Sequence, residues 1–221
     1  RPLVENTISL LNIKTGNNLE KINFLKDGEI LELRNFYFLE REKLNLKKNN
    51  SKIIIDKMPL NIIYAAEILR IFPNSKFILS LRNPLDVVIS CFFQNFKLND
   101  AMANFLTLND TTNLYSKVMD LWVNYTSKLE INYHSVKYES LVTKNQETLE
   151  NLIKFLEIDW NESLFNKDIY KNSERLISTP SYQQVNKPIY LESINRWKNY
   201  KNQLSADVKR LEPWVRVFDY A

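Results

Sequence analysis

Two short apolar runs limit what this chain can fold into. Lys52-Ile53-Ile54-Ile55-Asp56 and Phe77-Ile78-Leu79-Ser80-Leu81 lack a regular polar alternation, so each is read as a buried strand covered on both faces. Between them, Asn61 to Phe72 sets Ile62, Ala65, Ala66, Leu69 and Phe72 on one side of a helix, which Pro73-Asn74 stops. Pro84 to Asn95 reads as the next helix, and Ile131 to Tyr138 holds a third strand. Strand, helix, strand, helix in this rhythm is a βαβ unit, hence parallel strands joined by a right-handed crossover. The predicted fold class is α/β, a parallel sheet flanked by helices.

The rest of the chain surrounds that unit. Residues 3–13 carry a weak helix signal in Leu3, Ile8, Leu10 and Leu11, and 14–28 read as a loop holding Gly16 and Gly28, the only two glycines. Residues 29–47 are helical by composition, with Ile30, Leu33, Phe36 and Phe38 among charges. A long helix is predicted over 110–128, its Trp122 and Tyr125 read as core. Residues 146–157 repeat Leu149, Leu152, Ile153 and Leu156 at spacings of three and four. Residues 168–190 are polar and loop-like around Pro180 and Pro188, and short helices follow at 191–201 and 205–212. No repeat or linker interrupts the chain. It is read as a single domain over 1–221: a helical segment 1–50, an α/β core 51–160 and a helical and loop cap 161–221.

Composition excludes several classes. With 44% hydrophobic and 25% charged residues in 221, the chain is an ordinary folded one. No run of about 20 apolar residues predicts a membrane span, and Arg1-Pro2-Leu3-Val4-Glu5 is not a signal peptide. One cysteine (Cys91) and one histidine (His134) allow no internal disulfide and argue against structural zinc. The net charge of +4 fits a solvated Lys-rich surface or attraction to a small phosphorylated ligand. Lysine is spread along the chain rather than clustered with aromatics, which argues against nucleic acid. The expected compartment is the cytoplasm, with no membrane partner.

In a parallel α/β sheet, ligands bind beyond the carboxyl ends of the strands. One strand end reads Arg82-Asn83-Pro84-Leu85-Asp86. Asn83 suits an N-cap, Pro84 the first helical position and Asp86 the third. A helix starting there aims its N–H groups and positive dipole end at a cleft that suits phosphate. Arg82 adds a planar fork of donors, and Ser90, one turn beyond Asp86, adds a hydroxyl. Two readings of Arg82 stand: a phosphate ligand, or a strand-end arginine paired with a local carboxylate. The other strand end, Asp56-Lys57-Met58-Pro59-Leu60-Asn61, offers Lys57 either as a solvated lysine or as a charge at the mouth of the same cleft.

These residues resemble the sulfotransferases that use 3'-phosphoadenosine 5'-phosphosulfate (PAPS). Arg82-Asn83-Pro84-Leu85-Asp86 with Ser90 is similar to that family's 3'-phosphate-binding strand and helix. Asp56 to Asn61 and Ser90-Cys91-Phe92-Phe93-Gln94-Asn95-Phe96 resemble the branch of protein-tyrosine sulfotransferases and bacterial sulfotransferases fused to tetratricopeptide repeats. Lys137-Tyr138-Glu139-Ser140-Leu141-Val142, Ser181 to Tyr190, and Ser193-Ile194-Asn195-Arg196-Trp197 match later motifs in the family's order.

The resemblance implies a three-layer fold like that of P-loop nucleoside triphosphatases, with PAPS as donor, PAP as product, no metal, and a protein tyrosine, carbohydrate or small molecule as acceptor. It implies Arg82 and Ser90 at the 3'-phosphate, finished by Arg196 with Lys198, and Tyr138 at the adenosine. Lys57 would stabilise the phosphosulfate and its developing negative charge, and Ser181 would hydrogen-bond near the bridging oxygen or the 5'-phosphate. The family's first strand, its Pro-Arg-Ser-Gly-Thr-Thr-like 5'-phosphosulfate loop and its general base would align before Arg1, so a truncated chain is expected, with tetratricopeptide repeats one arrangement upstream. Asn83 stands where aspartate is common. Two other readings are a non-catalytic nucleotide-binding remnant of the fold and a P-loop kinase. The kinase would need Mg²⁺ carboxylates and a lysine in a Gly-rich loop, and neither is seen.

Overall fold

The computed structural model describes residues 3–16, 19–43, 53–161 and 193–220. They fall into two compact units: Arg1–Ser75 with Asp120–Asn132, and Lys76–Met119 with Tyr133–Ala221. Among the described residues no helix is long and apolar enough to cross a membrane.

The first unit is helical. Helix α1 (Leu3–Thr15) is followed by a 3-10 turn (Leu19–Phe24), then α2 (Asp27–Glu42), a second 3-10 turn (Pro59–Tyr64) and α3 (Ala65–Ile71). Leu3, Val4, Ile8 and Leu11 recur at helical spacing and pack with Leu25, Ile30, Leu33, Tyr37 and Ile71. Thr7 and Thr15 enter this core because their hydroxyls donate back to the carbonyls of Leu3 and Leu11, at 2.9 and 3.0 Å. Arginines pin α3 in place: Arg70 donates to the Leu25 carbonyl at 2.8 Å, and Arg34 to that of Ile71. The helix expected from Asn61 starts as a 3-10 turn, and Ala65 and Ile71 are its fully buried residues rather than Leu69.

One predicted strand is corrected. Lys52 lies outside the described residues, and Ile53 to Asp56 form no ladder; Ile53, Ile54 and Ile55 are 52%, 40% and 76% exposed. The segment is held instead through Asp56, whose two carboxylate oxygens accept from Tyr37 Oη at 3.0 Å and Asn61 Nδ2 at 3.2 Å. An apolar run states how much a segment gains from burial. Pairing also needs a neighbour with open backbone groups, and composition does not encode that neighbour.

The second unit holds the sheet. Strand β1 (Phe77–Leu81) pairs in parallel with β2 (Tyr133–Lys137), from Phe77 opposite Tyr133 to Leu81 opposite Lys137. Helices α4 (Pro84–Phe92), α6 (Tyr138–Thr143), α7 (Asn145–Leu156) and α8 (Ser205–Val217) belong to this unit, and α5 (Leu108–Lys128) contributes its first half. Leu79 and Leu81 are buried while Ile78 and Ser80 are exposed, so among the described residues β1 alternates between faces instead of being covered on both. Leu85 and Val88 of α4, Tyr115 of α5, and Leu211 and Trp214 of α8 make the core. Parallel strands and packed helices give the α/β class.

Glycine is so scarce that other residues take left-handed turns. Glu157 (φ 57°) closes α7, with its N–H on the Lys154 carbonyl and the Ile158 N–H on that of Ile153. Its carboxylate lies 3.1 Å from Lys76 Nζ, which also donates to the Phe155 carbonyl at 2.8 Å.

Leu33, fully buried in α2, tests the first core. Leu33→Ala is expected to cost about 2–5 kcal/mol, read as a lower urea midpoint with an unchanged slope.

Candidate functional site

The site is built where β1 turns into α4. Asn83 caps the helix: its Oδ1 accepts the Leu85 N–H at 3.0 Å, with Pro84 at the first helical position. That cap occupies one of the first-turn donors an anion would otherwise take. Asp86 is fully buried and does not serve the cap. Its Oδ2 accepts the Asn195 N–H and its Oδ1 the Trp197 N–H, both at 2.8 Å. Burial pushes its pKa up, while those bonds and the nearby Arg82 charge pull the other way.

Asp86 thereby lays the segment 193–200 along α4. At one end, Arg82 Nη2 donates to the Ser193 carbonyl at 2.5 Å. At the other, the Arg196 guanidinium sits 5.7 Å from the Phe93 ring centre, and Tyr200 meets the same ring edge-on at 5.0 Å. Asn195 makes this turn with φ 59°. Ser90 lies on the part of α4 between the Asp86 anchor and Phe93.

Arg82 is held from a second side. Its guanidinium lies 5.1 Å from the ring centre of Tyr138, the residue that follows β2. Parallel pairing puts this contact within reach, because Leu81 and Lys137 are opposite each other at the ends of the two strands. Arg82 Nε is buried without a hydrogen-bond partner among the described residues. A buried, unpaired donor on a fixed cation costs stability unless something else accepts from it.

Arg82, Ser90, Tyr138 and Arg196 thus lie in one unit: Arg82 meets Tyr138 directly, Arg196 follows on the segment that Arg82 and Asp86 hold, and Ser90 shares α4 with Asp86. Lys198 is exposed in the 3-10 turn Arg196–Tyr200. Lys57 is exposed and belongs to the other unit. Ser181 and the loop around it lie outside the described residues. Sequence reasoning treated Asp86 only as a helix-start residue. Its signal was present: a carboxylate flanked by Leu85, Val87, Val88 and Ile89 in an apolar helix must find donors. The sequence carries no such sign for the Ser193 carbonyl. Among the described residues no group of three or more His, Cys, Asp or Glu could hold a metal. A fixed guanidinium with an N–H unpaired among the described residues, an aromatic face, a hydroxyl and a second cation suit an anion attached to a planar ring.

A family model described as the sulfotransferase family matches residues 25–162. An uncharacterized protein of Aquifex aeolicus (strain VF5) is 28% identical over 191 residues, covering 84% of this chain and 24% of that protein. Protein-tyrosine sulfotransferase 2 of Gallus gallus is 27% identical over 184 residues, covering 77% and 47%. The chain thus spans between about a quarter and about half of the length of these curated relatives. The solved sulfotransferase domain from the curacin biosynthetic pathway aligns with 84% of this chain and 76% of its own, at a TM-score of 0.49 and 20% identity.

Asp86→Ala leaves two backbone donors unpaired. It is expected to cost about 1–3 kcal/mol for each in denaturant unfolding and to open 193–200 to limited proteolysis. Cys91, next to Ser90, provides a pH readout: burial pushes its thiol from 9.0 up to about 11. Below that value the thiolate is the minor form. Alkylation at pH 8 is therefore expected to be about 100-fold slower in the folded chain than in urea, rising about tenfold per pH unit.

Proposed function

The chain belongs to the sulfotransferase family, and from that premise we propose that it carries the 3'-nucleotide half of an enzyme that moves a sulfuryl group from PAPS to an acceptor hydroxyl and releases PAP. The observation that carries this reading is Arg82, held between the Tyr138 ring and the Ser193 carbonyl with Nε unpaired among the described residues. Those groups fit a phosphorylated nucleoside.

The chain's own residues then divide the work. Arg82 binds the 3'-phosphate through its donors, helped by the Ser90 hydroxyl. Arg196, with Lys198, completes the positive wall, and Phe93 orients Arg196. Tyr138 receives the adenosine. Asp86 keeps the cationic cluster compact by tying 195–197 to α4. The family resemblance alone assigns Lys57 to the negative charge that develops on the phosphosulfate, and Ser181 to a hydrogen bond near the bridging oxygen or the 5'-phosphate. When bound, PAPS supplies an activated sulfuryl group that the acceptor oxygen takes directly. The protein's part is positioning and charge stabilisation, as in phosphoryl transfer. A protein tyrosine is the proposed acceptor. The resemblance of Asp56–Asn61 and Ser90–Phe96 to the protein-tyrosine branch supports it, as does a relative that bears that name. A three-layer, P-loop-like arrangement is the proposed frame.

Titration of the chain with PAP against 5'-AMP tests the reading. PAP is expected to bind more tightly, and Arg82→Ala to weaken PAP about 10- to 100-fold while leaving 5'-AMP nearly unchanged. Equal affinity of the unmodified chain for both nucleotides would sink it.

A further inference from the structure

Behind Arg82 and Tyr138 lies a set of contacts that the nucleotide reading does not use. Glu139 follows Tyr138 at the start of α6. Its Oε1 accepts the Asn83 N–H at 2.9 Å, one residue after Arg82, and its Oε2 accepts the Tyr220 hydroxyl at 3.1 Å. One carboxylate thus ties the end of β1 to the end of β2, and both to a residue 81 positions further along the chain.

What brings Tyr220 there is the end of α8. Asp219 takes φ 57°; its N–H bonds to the Arg216 carbonyl at 3.0 Å and the Tyr220 N–H to that of Val215 at 2.8 Å. This is a Schellman turn, whose left-handed position glycine normally fills and which aspartate tolerates better than most residues. Aspartate here adds a function glycine lacks. Its carboxylate lies 3.5 Å from Lys137 Nζ, the same ammonium donates to the Asp219 carbonyl at 2.9 Å, and it sits 4.8 Å from the Tyr220 ring centre. An exposed ion pair alone contributes little, but three contacts from one ammonium fix an orientation. Burial first, and then the Glu139 charge, push the Tyr220 hydroxyl pKa up, so it remains a donor at neutral pH.

We propose that Glu139 and Tyr220 are positioning residues, clipped by the Lys137–Asp219 turn, that set Arg82 and Tyr138 for a ligand carrying a 3'-phosphate. The proposal rests on the nucleotide reading above. Both residues act through the Asn83 backbone and the β2–α6 junction.

Tyr220→Phe removes the donor and keeps the ring over Lys137; Glu139→Gln is the second variant should the first lose its fold. Two readouts are taken on the full chain: amide hydrogen exchange at Asn83, and the ratio of PAP to 5'-AMP affinity, with melting temperature as the control. Tyr220→Phe is expected to speed Asn83 exchange and to lower the affinity ratio about 10-fold. A merely structural role would weaken both nucleotides together and leave the ratio alone. Unchanged Asn83 exchange overturns the proposal whatever the nucleotides do. A preference for PAP that Arg82→Ala erases and Tyr220→Phe retains overturns this proposal alone. A chain with no preference for PAP overturns the nucleotide reading and this proposal together.

Discussion

The second unit turns on one buried carboxylate. Asp86 sits in the first turn of α4 with no solvent exposure, where an isolated charge would be strongly disfavoured. Two backbone N–H groups, from Asn195 and Trp197, make the position tenable. The dependence is mutual: without Asp86 those donors have no acceptor, and without that segment Asp86 has no donors. From this exchange follow the closeness of the Ser193 carbonyl to Arg82 and the placement of Arg196 over Phe93. A side chain one turn from Ser90 thus organises groups that sequence reasoning assigned separately to a phosphate.

The scarcity of glycine shapes the rest. Left-handed backbone falls to Glu157, Asn195 and Asp219 as well as Gly16. Each non-glycine position is costlier than glycine, and each brings a side chain to a junction. Glu157 meets Lys76 just before β1, and Asp219 meets Lys137 at the end of β2. Both strands are therefore bracketed by a lysine that reads the turn closing a helix. Where a glycine would only permit the turn, each carboxylate also sets an exposed ion pair beside it, a small addition to the backbone bonds that close the helix.

Arg82 shows why side-chain placement matters. A guanidinium in solvent samples many rotamers, and ordering it on binding costs side-chain entropy. Here the Tyr138 ring, the Ser193 carbonyl and the neighbouring Asp86 charge hold it before any ligand arrives. Pre-placed cations bind anions with less reorganisation.

Local rules determined much of this protein. β1 was legible as five apolar-dominated residues ended by Arg82-Asn83-Pro84. The Asn83 cap and Pro84 start followed from residue chemistry alone, and α5 and α7 followed from helical periodicity. The motif order around Arg82, Ser90 and Tyr138 pointed to the sulfotransferase family, which the match over 25–162 bears out. Other features were decided only by tertiary structure. Ile53 to Ile55 read as a strand by composition yet pair with nothing described, because a ladder requires a partner's backbone and not only apolar side chains. Asp86 looked like a helix-start signal and became an anchor for residues more than a hundred positions away. Tyr220 carried no local signal, and Glu139 stood inside a recognised motif without any sign of its partners. Their meeting depends on the left-handed turn at Asp219 and the register of two parallel strands. Periodicity and capping act within a few residues and so can be read along the chain; donor and acceptor pairing across long separations exists only once the fold has brought the partners together.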